Sequence, residues 1–241
     1  YLVVWDFINW SRNNDVPVGP GRGSGAGSLV AYSIGITDVD PLSYDLLFER
    51  FLNSERISPP DFDIDFCRDK RYKTFDYVTQ KYGADKVCQI VTFGRLKAKA
   101  AIKDAARVLG FSFDESDLLT KMIPDTPGTT LADAAGIDPR INQLCVPGSR
   151  YGRLWEVSCK IEGLARQTGK HAAGVVIADQ AVRNYAPLYV NDDGSVVTQY
   201  DMGNLDYVGL IKFDFLGLLS LTVNDHAVRN IRARRDPAFD L

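Results

Sequence analysis

Apolar positions recur along this chain with two periods, and the switches between them outline its elements. In YLVVWDFINWSRNN (1–14), Leu2, Trp5, Phe7 and Ile8 share one broad face at helical spacing, which predicts an amphipathic helix. A glycine-rich loop follows, and the small apolar run from Leu29 to Ile34 reads as a helix starting near Ser24 or Ser28. After a turn around Asp38–Pro41, YDLLFERFL (44–52) predicts another helix, leading to the strictly alternating DFDIDF (61–66), a strand. Residues 69–82 read as a helix and KVCQIVTFG (86–94) as a buried strand.

From Arg95 to about Lys170 helical periods dominate (95–109, 114–122, 152–165), separated by the loops IPDTPGTT and DPRINQ. Strand character returns in HAAGVVIA (171–178), SVVTQYD (195–201) and YVGLIKFDFLGL (207–218). A last helix over 221–235 carries Arg229, Arg232, Arg234 and Arg235. The order mixed, all-helical, mixed predicts an α+β domain with a helical subdomain inserted into it.

Composition narrows the function classes. The chain is 45% hydrophobic and 24% charged, enough for a sizeable core, and its net charge of -3 rules out a general polycation. Affinity for nucleic acid then has to come from local patches or from metal ions set among acidic clusters. Four cysteines without CxxC spacing and only two histidines argue against structural zinc, and suit a reduced, cytoplasmic setting. No apolar run approaches the ~18 residues of a membrane span, and no signal peptide is present, so no membrane partner is expected. The chain opens without Met inside an apolar pattern and ends at DPAFDL without an obvious cap, which reads as a piece of something larger.

Three stretches carry chemistry. In PPDFDIDF (59–66), Asp61, Asp63 and Asp65 share one strand face and Phe62, Ile64 and Phe66 the other. Like charges so close need solvent, basic side chains or bound metal among them; a solvated acidic face is the plain alternative. In GLIKFDFLGL, Lys212 and Asp214 alternate with Ile211, Phe213 and Phe215, in a strand apolar enough to be central. A charge there is expensive unless it is paired or ligates a metal; a structural Lys212–Asp214 pair is the alternative. Carboxylates of two adjacent strands on one face would form an oxygen nest for hard divalent cations, and two such ions ~4 Å apart suit in-line phosphoryl displacement.

The second stretch, GPGRGSGAGS, lacks the Walker A spacing, yet its glycines permit close backbone approach to an anion, Ser24 offers a hydroxyl and Arg22 a forked cation. A flexible linker is the alternative. Third, in GRLKAKAAIKDAARVLG, Arg95, Lys99, Lys103 and Arg107 recur every four residues along a predicted helix flank, with Lys97 nearby. Such a stripe suits either solvent or a nucleic-acid backbone.

Taken together, VGPGRGSGAGSLVAYSIGITDVDPL, LLFERFLNSERISPPDFDIDF, GKHAAGVVIA and VTQYDMGNLDYVGLIKFDFLGL resemble the bacterial C-family replicative DNA polymerases, the DNA polymerase III alpha family. The resemblance runs over nearly the whole chain and is weakest at about 125–160. It implies a polymerase-beta-like nucleotidyltransferase palm at 1–92 and 171–220 with a mixed sheet, interrupted by a helical thumb at 93–170, and the start of the fingers at 221–241. Period-two geometry leaves the pairs Asp61/Asp63 and Asp63/Asp65 equally open. The family pattern assigns Asp61, Asp63 and Asp214 as catalytic metal ligands for two Mg²⁺ ions, with Mn²⁺ a substitute, and gives Asp65 a supporting role. It assigns Gly23 and Ser24 to the nucleotide triphosphate, with Lys212, Arg22 and Arg50 as further triphosphate candidates. Arg166, Lys170 and His171 are candidates for the same charged pocket, and His171 is equally readable as a core histidine.

The resemblance implies DNA-directed DNA polymerase chemistry: a primer 3′-hydroxyl attacks the α-phosphorus of a deoxynucleoside triphosphate. Arg95, Lys97, Lys99, Lys103 and Arg107 would grip primer–template phosphates. The family's amino-terminal phosphoesterase-like domain, fingers and clamp-binding regions are missing from this piece, and the parent would work with a sliding clamp and replisome. Two other readings use the same residues. A template-independent nucleotidyltransferase needs no basic helix, and a non-catalytic DNA-binding fragment needs no acids.

Overall fold

The structure is a computed structural model that describes residues 1–53 and 62–239. Its helices are α1 (Leu2–Asn13), α2 (Leu29–Ser33), α3 (Arg71–Tyr82), α4 (Ala98–Val108), α5 (Phe113–Thr120), α6 (Leu131–Ile137), α7 (Pro139–Leu144), α8 (Arg150–Ile161), α9 (Met202–Leu205) and α10 (Leu219–Arg234). Its strands are β1 (Asp63–Cys67), β2 (Val87–Arg95), β3 (Ala165–Ile177), β4 (Leu188–Val190), β5 (Val196–Asp201) and β6 (Lys212–Leu218). They form one mixed sheet in the order β1-β6-β3-β2-β5-β4. The chain divides into two compact units, residues 1–92 with 170–241, and residues 93–169.

In the first unit, α1 and α3 cover one face of the sheet. Phe7 of α1 meets Phe66, Phe213 and Phe215 at ring-centroid distances of 6.4, 6.1 and 4.8 Å, inside a core that also holds Ile64, Val78 and Val175. Burying each such ring contributes about 2–3 kcal/mol, so these aromatics fix which face of β1 and β6 turns inward. The opposite face is apolar only over β2 and β3, where Cys88, Ile90 and Val176 pack with Val182, Leu205 and Leu210. Over β1 and β6 it carries the carboxylates.

Pairing explains why those strands are held so firmly. β1 and β6 are parallel, with Ile64 opposite Phe215 and Asp63 opposite Asp214. The free edge of β1 is closed by the chain ahead of the glycine loop: Gly19 N–H donates to the Asp65 carbonyl at 2.7 Å and Cys67 N–H to the Pro17 carbonyl at 2.9 Å. On the far side of β6, Gly174 of antiparallel β3 pairs with Asp214.

The second unit has its own core of Ile102, Leu119, Leu131, Ile141 and Leu154 from α4 to α8. Capping boxes at Ser112/Glu115 and Thr130/Asp133 start α5 and α6.

Several sequence expectations are corrected. Leu2 is 80% and Trp5 41% exposed; the buried face of α1 is Val4, Phe7, Ile8 and Ser11. Within 44–52 only a 3-10 turn, Phe48–Arg50, forms. DPRINQ is not a loop but the start of α7, because Asp138 caps it and Pro139 sits in its first turn. β6 begins at Lys212 rather than 207, after a 3-10 turn at Asp206–Val208. β3 starts at Ala165, so α8 ends early, at Ile161. Among the described residues no helix is long and apolar enough to cross a membrane.

Candidate active site

Asp63 and Asp214 are Cα partners on neighbouring parallel strands, so their side chains leave the sheet side by side on one face. Asp214 is buried and Asp63 half-buried. Asp65 follows on the same face of β1, and its Oδ2 accepts from Arg22 Nε at 3.1 Å. Its Oδ1 is buried with no hydrogen-bond partner among the described residues. Burial raises the Asp65 carboxyl above its ordinary range; the Arg22 guanidinium pulls in the other direction and Asp63 adds to the rise.

The glycine loop lies directly against these acids. Gly23 has φ 61, and a β-carbon there would stand 3.1 Å from Asp63 Oδ2. Both the left-handed backbone and the closeness of the carboxylate demand glycine. Ser24 then opens the 3-10 turn Ser24–Gly27, and Ser28 caps α2 by accepting from Ala31 N–H at 3.2 Å. Arg50 lines one small cavity with Gly23, Ser24 and Leu47, while Arg22 lines another with Asp63 and Asp65. The loop, two arginines and the acids are thus brought together from four separate stretches of chain.

Lys212 stands two residues before Asp214 on β6, opposite Val176 of β3. Lys170 is committed to Asp193 at 2.5 Å. Arg166 belongs to the second unit and faces Asp104 at 3.4 Å. Asp61 lies outside the described residues. Among the described residues no cluster of three His, Cys, Asp or Glu side chains is arranged for a metal ion. The donors that are described nevertheless suit a hard divalent cation: paired carboxylate oxygens with a third acid beside them, while Cys67, next along β1, is engaged with Thr222 Oγ1 at 3.3 Å.

The basic stripe is rearranged. Arg95 is not on the helix but ends β2, and its guanidinium donates to the Gly163 carbonyl at 3.0 Å. Lys97 is the residue before α4. Lys99, Lys103 and Arg107 do share α4: Lys99 pairs with Asp125, Lys103 Nζ stands 5.6 Å from the Phe113 ring centroid, and Arg107 lies 3.3 Å from Asp104. The strand runs on past Gly94, so the period-four count began one element too early.

Sequence reasoning missed Arg71, whose Nη1 donates to the carbonyls of Ala172 (2.5 Å) and Phe215 (3.0 Å), bridging β3 and β6. It also missed Lys70, which is buried between Asp15 (3.0 Å) and Asp225 (2.8 Å). Neither sits in a pattern that periodicity detects; both are cations on the shoulder of a helix.

The chain is similar to known proteins over its whole length. The family described as the bacterial DNA polymerase III alpha NTPase domain matches residues 1–217. DNA polymerase III subunit alpha of Escherichia coli (strain K12) is 50% identical over 100% of this chain and 21% of its own length. The subunit of the same name from Vibrio cholerae is 51% identical over 97% of this chain and 20% of its own length. That of Haemophilus influenzae is 49% identical over 97% of this chain. The chain spans about a fifth of the length of these relatives. At this identity, over so much of the sequence, the chain belongs to the bacterial DNA polymerase III alpha family.

Proposed function

We propose that this chain forms the catalytic part of a DNA-directed DNA polymerase, a polymerase-beta-like palm interrupted by a helical thumb, which transfers a nucleotide from a deoxynucleoside triphosphate to a primer 3′-hydroxyl. The observation that carries the reading is the register pair Asp63–Asp214 with Gly23 against Asp63. Asp63 and Asp214, with Asp61 outside the described residues, would hold two Mg²⁺ ions. Bound there, Mg²⁺ supplies activation of the hydroxyl and charge neutralisation at the triphosphate.

This chain's own residues do the rest. Gly23 and Ser24 let the triphosphate approach the backbone beside the acids, and Ser24 adds a hydroxyl. Arg50 and Lys212 meet phosphate oxygens with positive charge. Arg22, tied to Asp65, is held in a fixed direction rather than swinging in solvent. The aromatic core behind β1 and β6 keeps both strands rigid, and positioning of this kind is the larger part of phosphoryl-transfer catalysis. Lys97, Lys99, Lys103 and Arg107 would bind primer–template phosphates without reading sequence. In the cell the parent protein would work in the cytoplasm with a sliding clamp and replisome.

Primer extension by a full-length alpha subunit carrying this sequence tests the reading. Asp63→Asn and Asp214→Asn should each lower the rate by about 10³-fold or more, whereas Asp65→Asn should lose much less. Full activity of either of the first two variants would overturn it.

A further inference from the structure

A further cavity opens on the back of the sheet. Ala173 and Val175 flank Gly174, the register partner of Asp214, so they project to the face away from the acids, as Phe215 does. There they line a cavity of about 170 Å³ together with the first turns of α3. Phe75 supplies another apolar wall, and Arg68, Arg71, Tyr72 and Gln89 the polar part. Arg68 and Tyr72 are exposed and mark its mouth.

Charge decides what the cavity suits. Arg71 is half-buried, and its Nη1 is committed to the Ala172 and Phe215 carbonyls. Among the described residues no carboxylate pairs with it, so the guanidinium is held in place with its charge uncompensated. Arg68, three residues earlier, has only the exposed Asp69 at 3.2 Å, a surface pair that contributes little. A cation taken out of water without a counter-charge is costly, and an incoming anion relieves that cost. Two guanidinium groups match a phosphate monoester, with its charge of about -1.5 to -2, better than they match one carboxylate.

Size and wall chemistry set the rest of the ligand. An apolar cavity of about 150 Å³ holds one benzene ring. This one, walled by Phe75, Val175 and Phe215, therefore has room for a single six-membered ring and not for a fused pair. Tyr72 and Gln89 add a hydroxyl and an amide, which suit a ring with polar edges. We propose that the cavity binds a pyrimidine nucleoside monophosphate, its ring among Phe75, Val175 and Phe215 and its phosphate at Arg68 and Arg71. A free nucleotide and the 5′-phosphorylated end of a DNA strand both offer this chemistry. The site lies across the sheet from the acids and uses no metal, so it stands independently of the polymerase reading.

The test is calorimetric titration of a full-length alpha subunit carrying this sequence with dCMP in EDTA, which keeps divalent ions away from Asp63 and Asp214. Saturable binding is expected. Arg68→Gln should weaken it about tenfold, and Ala173→Leu, whose longer side chain enters the ring's space, by at least as much. Inorganic phosphate, lacking the ring, should bind about tenfold more weakly than dCMP. Absence of dCMP binding, or wild-type affinity in Arg68→Gln, overturns the proposal. Because Arg68 is exposed, its replacement leaves the core intact, and the answer does not hang on the folding of Ala173→Leu. A 5′-phosphorylated oligothymidylate that displaces dCMP, where its 5′-hydroxyl counterpart does not, upholds the site and assigns it to a strand end. Displacement by neither upholds it for the free nucleotide, and displacement by both alike overturns the monoester.

Discussion

Gly23 and Asp63 approach so closely that a β-carbon on the glycine would stand 3.1 Å from the carboxylate oxygen. The loop and the acid therefore behave as one device, and Gly23→Ala should damage both. Its left-handed φ of 61 makes alanine cost about 1 kcal/mol of stability. Displacement of Asp63 should weaken magnesium-dependent dATP binding by about tenfold or more. Calorimetric titration beside a thermal melt checks both numbers.

Asp63 and Asp214 leave the sheet side by side, and a divalent cation placed between them should stabilise the fold through binding. Millimolar Mg²⁺ or Mn²⁺ should raise the melting temperature of the wild-type chain by a few degrees. In Asp63→Asn that increment should largely vanish, while the metal-free melting temperature stays level or rises. An unchanged increment in the variant would disconnect Asp63 from the metal.

Lys70 is buried between two aspartates, and Arg229 of α10 shares both of them, at 2.5 Å to Asp15 and 3.3 Å to Asp225. Lys70→Met leaves the buried Asp225 with half its partners and should cost about 3 kcal/mol in urea unfolding. The double variant K70M with Asp225→Leu should recover most of that loss, because no buried charge is then left over.

Burial pushes the Cys88 thiol up to about 12 and the Cys145 thiol up to about 11. The folded state thus favours the neutral thiol, and the unfolded state ionises first, near the ordinary value of 9.0. Stability from this source is complete below pH 9 and falls as pH rises towards 12, by at most about 1.4 kcal/mol per pH unit for each thiol. Urea midpoints at pH 8 and pH 10.5 should differ less in Cys88→Ala than in wild type.

Lys99 and Lys103 lie on α4 outside the second unit's apolar core, Lys99 paired with exposed Asp125 and Lys103 over the Phe113 ring, so removing them should not disturb that core. Lys99→Ala with Lys103→Ala should weaken duplex DNA binding several-fold. The slope of log affinity against log salt should become shallower by about 1.8, the share of two phosphates. A salt slope equal to that of wild type would take α4 out of the DNA-binding surface.

What the sequence revealed depended on whether a pattern was local. The alternation survives as strands over Asp63–Cys67 and Lys212–Leu218 because aromatics on one face force the acids to the other. Their mutual register, Asp63 against Asp214, is set by pairing across a long stretch of chain and left no local trace. In α1 the inward face contains Ser11, whose hydroxyl donates to the Phe7 carbonyl at 2.7 Å and meets Thr74 Oγ1 at 2.8 Å. A polar residue inside the seam hid the true helical stripe. The segment 44–52 carries a helical pattern, but the Leu47 backbone packs against Gly27, where a β-carbon would stand only 2.9 Å from the Leu47 carbonyl oxygen, and only one turn winds. The tilt of Arg95 out of the basic stripe has a similar origin: β-sheet pairing outlasted the point where helical spacing seemed to begin. The glycine loop's contact with Asp63 was legible only as composition, since alternating glycines announce freedom and not its destination.

The strands that carry Asp63 and Asp214 lie about 150 residues apart along the chain, and the second unit occupies much of that interval. A ribosome releases β1 long before β6, so a nascent chain has one carboxylate without its companion until the sheet is finished. Residues 93–169 are contiguous and carry their own core, and can fold during that wait. The acidic pair is thereby a late product of assembly: a chain that stalls anywhere between the two strands presents one carboxylate of the pair to a partner that has not yet been made.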